Sequence, residues 1–294
     1  MIEKIWHKFF VIIIFIIGIL VVCFTYNKSI QQNNQQRDIS KGSLQIDDRK
    51  KNGIMVLCYH RITKHNLSND SVKKLTNNSQ IHEYSISQDQ FEYQINYLKK
   101  HHAKFISTDQ MVSLIRKGQP LHHQYIVITF DDFDQTVYDN GLPFLRKLDI
   151  PFTVFTVTGT TGEYNGGTKL VNWQQISQMS LNPLVTVGLH TNNLHYLTNN
   201  KSAVTTHGKF NRFKKDYRKS QRMMIKHIGK SSSFFAYPYG ESTQQIQNYL
   251  SKQGIITFSL NIGIITEKSS LNNSLPRVMV DKNTWENVVI KWLK

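Results

Sequence analysis

From Gly53 onward, apolar runs rich in β-branched and aromatic residues alternate with stretches of helical period. Residues 54–59, 125–130, 152–157, 184–189, 234–237 and 255–260 read as strands, each short and nearly continuous in apolar character. A helix starts after Ser87, where Gln90 completes a capping box and Phe91, Ile95 and Leu98 line one face. A second follows residues 125–130 and runs through Leu145. In residues 208–230, Phe210, Phe213, Tyr217, Met224 and Ile228 recur at helical spacing. Lys209, Arg212, Lys214, Lys215, Arg218, Lys219, Arg222 and Lys226 fill the positions between, which predicts a basic outer face. Strands and helices in alternation imply an α/β fold of parallel strands covered by helices. No repeat of solenoid length interrupts it. In such folds the active site sits at the carboxyl ends of the strands.

Two segments precede this domain. Lys4, His7 and Lys8 lead into an unbroken apolar run over residues 9–24. That run exceeds the apolar core of about 7–15 residues in a signal peptide and lacks an Ala-x-Ala cleavage site. It is marginal for a span of about 20 residues, but Thr25 and Tyr26 extend it. Residues 1–26 are therefore a membrane anchor or signal segment, with the uncleaved anchor preferred over the cleaved signal. The leading lysines orient the body outward. Val22 stands where a lipoprotein site at Cys23 would need a small residue. Residues 27–52 are polar and Gln/Asn-rich, without apolar period, and read as a flexible tether. Residues 53–294 form the folded domain. The expected location is the extracellular face of the cell membrane, with secretion or cell-wall association as second choice.

Composition narrows the partners. Of 294 residues, 36 are Lys or Arg and 20 are Asp or Glu, a formal charge of +16. A hydrophobic fraction of 39% supports a packed core and excludes global disorder. The charge points to an anionic neighbour, either nucleic acid, phospholipid or a wall polymer. Export argues against nucleic acid, and the basic helix is a candidate contact for anionic lipid or wall polymer; its bland reading is a solvated face. Only Cys23 and Cys58 are present, one in the apolar run and one in a strand, so no disulfide is expected.

Four strand ends carry chemistry: Cys58-Tyr59-His60-Arg61, Thr129-Phe130-Asp131-Asp132, His190-Thr191-Asn192-Asn193-Leu194-His195 and Tyr237-Pro238-Tyr239-Gly240. One Asp after an apolar run can be a helix cap. Two in succession are costly to bury unless they meet a cation or a donor. His190 and His195 are five apart, which suits a strand end and turn rather than one helix face. Alone, such a pair is as compatible with structural histidines as with ligands. With Asp132 it makes a His-His-carboxylate set that leaves coordination positions open.

Together these motifs resemble the polysaccharide deacetylases of the NodB-homology type (carbohydrate esterase family 4). The early Tyr59-His60-Arg61, the His spacing and Ala236-Tyr237-Pro238-Tyr239-Gly240 are most similar to the biofilm adhesin deacetylases, which act on poly-β-1,6-N-acetylglucosamine. The resemblance covers residues 53–294 and implies a distorted parallel (β/α) barrel with circularly permuted motifs. It also implies an N-deacetylase that releases acetate, with Asp131 as general base and a divalent metal held by Asp132, His190 and His195. Zinc is the default, and cobalt, nickel or iron can occupy such a set. The backbone amide of Tyr239 would help hold the oxyanion.

Two departures follow. The wider family has an Arg where this chain has Ala236, so the Arg that orients the base must come from elsewhere, with Arg277 and Arg61 as candidates. The usual acid is a His near the carboxyl end, yet none follows His227, and the resemblance assigns that role to His60. Trp173 reads as a core residue or a sugar platform, and His101-His102 and His122-His123 as surface loops. The competing functions are deacetylation of peptidoglycan or chitin-type polymers and a non-catalytic carbohydrate-binding module. The full set of candidate ligands and base favours an enzyme.

Overall fold

The computed structural model describes residues 52–64, 84–165, 168–206 and 208–294. The expected anchor, all of the tether but Asn52, and His207 lie outside the described residues. Among those described, no helix is long and apolar enough to cross a membrane.

Seven strands run in line through an eight-stranded main sheet: β1 (Gly53–Tyr59), β2 (Gln124–Phe130), β3 (Phe152–Thr156), β4 (Val185–Leu189), β5 (Phe234–Ala236), β6 (Ile256–Phe258) and β7 (Val278–Met279). Their order is β6-β5-β4-β3-β2-β1-β7, so β1 to β6 lie side by side in chain order, β7 returns beside β1, and every pairing is parallel. A short strand, Lys104–Phe105, pairs with the start of β2 below the point where β3 joins it. Phe258 at the end of β6 pairs with Leu275, and three residues on, Val278 pairs with Leu57 of β1. One segment thus touches both margins of the sheet and curls it into the expected distorted barrel.

A parallel sheet must be covered on both faces. Side chains alternate along a strand, and β1 shows the consequence. Met55, Leu57 and Tyr59 pack with Phe91, Ile95 and Leu98 of helix α1 (Gln88–Lys100). Ile54 and Val56 join Phe155, Phe258 and Met111, Val112 and Ile115 of α2 (Thr108–Lys117). Each fully buried apolar side chain of this kind contributes about 1.5–3 kcal/mol. The capping box of α1 is formed, with Ser87 Oγ accepting from Gln90 N at 3.1 Å and Ser87 N donating to Gln90 Oε1 at 3.2 Å. The helix after β2 differs from expectation in form. It opens as a π-helical turn, Val137–Gly141, before α3 (Leu142–Lys147).

Helix α4 (Trp173–Met179) precedes β4, and α5 (Phe210–Ile228) follows it. Phe213, Tyr217, Ser220 and Met224 of α5 are buried, whereas Arg212, Lys215, Arg218, Lys219, Arg222 and Lys226 are exposed. The basic outer face is present. Trp173 stacks on His227 with ring centroids 4.4 Å apart and packs against the core, a structural role. His102, His122 and His123 are exposed, as expected, while His101 stacks on Tyr97 at 4.0 Å.

Candidate active site

The parallel register brings the four strand ends together. Tyr59 pairs with Phe130, so His60 and Asp131 leave neighbouring strands side by side, and Asp131 N donates to Tyr59 O at 2.9 Å. His190 N donates to Thr156 O at 2.9 Å, which fixes the end of β4 against β3. Asp132, Phe133, Thr191 and Tyr239 all have left-handed backbones, with φ of 63°, 60°, 74° and 60°. Such conformations cost non-glycine residues of order 1–3 kcal/mol each and persist where the surroundings impose them. Here they turn the chain sharply at strand ends. His60, Asp131, Asp132, His190, His195 and Tyr239 line one pocket, whose wall also includes Arg61, Tyr84 and Asp134.

Asp132, His190 and His195 present ligand atoms within 4.8 Å of one another. Asp132 Oδ1 lies 3.6 Å from His190 Nε2 and 3.1 Å from His195 Nε2. That oxygen is buried and has no hydrogen-bond partner among the described residues. His190 Nδ1 lies 2.8 Å from Ala236 O, so it donates to that carbonyl and leaves the Nε2 lone pair facing Asp132. Burial depresses the pKa of His190 to about 4, so its imidazole is neutral near pH 7. Burial disfavours the charge of Asp132, but His195 and His190 outweigh it and its pKa is lowered. A carboxylate oxygen facing the His190 lone pair is repulsive unless something positive lies between them. The set therefore fits a divalent cation, with three protein ligands and room for others. Its mixed nitrogen and oxygen donors suit zinc and leave other transition ions open.

Asp131 is held differently. Arg277 Nη1 donates to its Oδ1 and Nη2 to its Oδ2, each at 2.7 Å. Arg277 is itself fully buried, with Nε donating to Ser259 O at 3.1 Å and Nη1 to Thr129 Oγ1 at 3.3 Å. Its guanidinium lies over the rings of Phe155 and Phe258, at 5.3 and 5.9 Å. Burial alone would raise the Asp131 pKa, yet Arg277 overrides it and holds the carboxyl well below the usual range. Of the two candidate arginines, Arg277 meets the Asp and Arg61 does not. Arg61 Nε faces Asp134 Oδ2 at 3.6 Å.

His60 is half-buried, its ring 4.8 Å from that of Tyr84. Burial lowers its pKa, against the pull of Asp131 and Asp132. The Tyr239 ring tilts against His195 at 5.0 Å, which places the Pro238-Tyr239-Gly240 turn beside the candidate metal ligands.

Three residues contribute without having been singled out from the sequence. Asp134 is buried at the pocket wall, paired with Arg61 and accepting from Thr136 N at 2.8 Å. Its signal was a third Asp just after the pair. Gly159 is required by close approach, because a Cβ there would lie 1.7 Å from Asn193 Oδ1 and 2.4 Å from Asn192 O. Gly188 on β4 has the same cause, with Phe155 Cδ1 2.4 Å from a built Cβ. A lone glycine after or within an apolar run is the only trace of either.

A polysaccharide deacetylase family model matches residues 118–258. A poly-β-1,6-N-acetyl-D-glucosamine N-deacetylase of Staphylococcus aureus (strain MSSA476) is 33% identical over 249 residues, which cover 83% of this chain and 84% of that relative. One of the same name from Staphylococcus epidermidis is 30% identical over 286 residues, covering 95% and 96%. Among solved structures, IcaB from Ammonifex degensii superimposes with a TM-score of 0.73 at 28% identity, covering 82% of this chain and 97% of that one. The curled parallel barrel, the residues at its strand ends and this similarity lead to one assignment: the chain is an enzyme of the polysaccharide deacetylase family.

Proposed function

We propose that the protein removes N-acetyl groups from poly-β-1,6-N-acetyl-D-glucosamine outside the cell, releasing acetate and leaving free amines on the polymer. The observation that carries the reading is the convergence of Asp132, His190 and His195 beside the Arg277-bound Asp131 in one pocket. The polymer is chosen from the names of the staphylococcal relatives. When bound, a divalent ion, zinc by preference, supplies Lewis acidity toward an acyl oxygen and toward water.

The chain's own residues supply the rest. Asp131 takes a proton from the attacking water, and its anion is available across the neutral range because Arg277 keeps it ionised. A base of such low proton affinity also releases that proton readily. The Tyr239 amide donates to the developing oxyanion. His60 delivers a proton to the departing sugar nitrogen, since an amide anion is too basic to leave unprotonated. The balance is one water added, one acetate and one amine released.

The reading places the enzyme at the extracellular face of the membrane, held by residues 9–24, with the basic face of α5 toward anionic lipid or wall polymer. The apolar run and the row of exposed cations support it. The deciding measurement is acetate release from β-1,6-linked against β-1,4-linked N-acetylglucosamine oligomers, with and without chelator. Preference for the β-1,6 series, abolished by chelator and restored by metal, is expected. Equal or greater release from the β-1,4 series would replace the polymer with a chitin-like one.

A further inference from the structure

The two histidines of the metal set are joined by four residues, 191–194, and that loop is held from both sides. On one side, Thr158 N donates to Thr191 O at 3.0 Å and Gly159 N to Asn192 O at 2.9 Å. On the other side stands Asp216, from the middle of α5. Its Oδ1 accepts from Asn192 N and its Oδ2 from Asn193 N, each at 2.7 Å. Within the loop, Leu194 N donates to Thr191 Oγ1 at 3.3 Å. Consecutive amides at both carboxylate oxygens form a short, charge-assisted pair of hydrogen bonds.

Asp216 is the only acid in α5, among cations that face outward. An acid on that outer face would gain ion pairs with its neighbours at little cost. This one instead binds the loop, twenty-four residues from the first amide it accepts from and twenty-three from the second. The loop needs such an anchor. Thr191 is left-handed, so the chain reverses just after His190, and how far His195 returns depends on the contacts that hold the turn. With the loop's carbonyls tied to residues 158–159 and its amides tied to Asp216, the separation of the two imidazoles is fixed before any ion arrives.

We propose that Asp216 is a positioning residue for the metal set: through the Asn192 and Asn193 amides it holds His190 and His195 at binding distance. The inference rests on reading Asp132, His190 and His195 as metal ligands. Groups that orient ligands from behind typically change metal affinity by about 10–100-fold when removed.

The test measures zinc affinity of the full chain by competition with a chromogenic chelator, alongside thermal unfolding. D216A, which leaves both amides without an acceptor, should bind zinc about 10–100-fold more weakly while unfolding cooperatively. D216N keeps the shape but presents a donor to one of the two amides. It should also weaken binding, and carries the comparison should D216A fail to fold. M224A serves as the stability control, because Met224 is buried on the same helix while both amides donate to Asp216; it should lower the melting temperature with affinity unchanged. Wild-type affinity in both Asp216 variants would overturn the proposal. So would an M224A loss of affinity equal to that of D216A, since affinity would then merely follow helix stability. H190A separates the two levels. If wild type binds zinc no better than H190A, the metal assignment itself is wrong. If wild type binds better than H190A and the Asp216 variants match wild type, only the role of Asp216 falls.

Discussion

Arg277 and Asp131, 146 residues apart in the chain, meet through two parallel hydrogen bonds of 2.7 Å inside the barrel. Neither is exposed, and each is the other's main source of compensation for burial. Removing one partner of a buried pair is strongly destabilising, by about 3–5 kcal/mol, because the other charge is left uncompensated. Arg277→Ala should therefore destabilise the fold and raise the Asp131 pKa together. Arg277→Lys keeps the charge but loses the fork, and should fold while turning over poorly. Asp131→Asn should keep the metal and lose about 10²–10⁴-fold in turnover. Denaturant titration and acetate release test all three. Full turnover in Arg277→Lys would show that the paired geometry is dispensable.

The metal set is tested by its ligands. His190→Ala and His195→Ala should each lose metal and activity with the fold retained, because either leaves only two ligands. Elemental analysis after dialysis is the measurement. Full occupancy in both variants would remove the pair from the metal site.

His60 is tested by pH. Its proton is needed on the nitrogen side, so activity should fall as pH rises through its pKa, which burial sets below the ordinary value. The alkaline limb of kcat/KM should weaken or vanish in His60→Ala, while metal content and substrate affinity persist. Wild-type turnover with both limbs intact would make His60 structural.

Stability of the metal-free protein should fall with acid in a defined window. His190 is depressed to about 4, against an ordinary value of 6.5. Below 6.5 the unfolded chain takes up a proton that the folded chain refuses until about 4, so stability declines as pH drops through that range. Asp131 acts at lower pH: its pKa is depressed below 3.8, so its contribution is fully present above 3.8 and is lost as pH falls beneath it. Chemical denaturation of wild type and His190→Gln from pH 7 to 4 should show the slope flattened in the variant. Identical slopes would assign the loss to other groups.

The proposed membrane location rests on the apolar run at residues 9–24. The protein should fractionate with membranes and resist extraction by high salt, whereas a chain lacking residues 1–26 should be released. Recovery of the full-length gene product mainly in culture fluid, with its amino terminus mapped beyond Cys23, would instead establish cleavage.

What the sequence determined by itself was local and periodic. A short continuous apolar run marked Ile54 to Tyr59 as a strand, the Ser87–Gln90 pair marked a helix start, and the apolar stripe through Phe213, Tyr217 and Met224 marked which side of α5 is buried. Because parallel strands deliver their carboxyl ends to one mouth, the same patterns sufficed to gather His60, Asp131, Asp132, His190, His195 and Tyr239. Which arginine reaches Asp131 was beyond it. Arg61 is the nearer in sequence and also borders the pocket, but the closing segment at Leu275–Val278 carries Arg277 into the interior, where Thr129 and Ser259 hold it. Asp216 was equally hidden, an isolated acid whose partners are backbone amides and so leave no mark on side-chain identity. Periodicity records the direction in which a residue points within its own element. Contacts between elements depend on how the sheet closes and how the helices dock, and only the tertiary structure decides those.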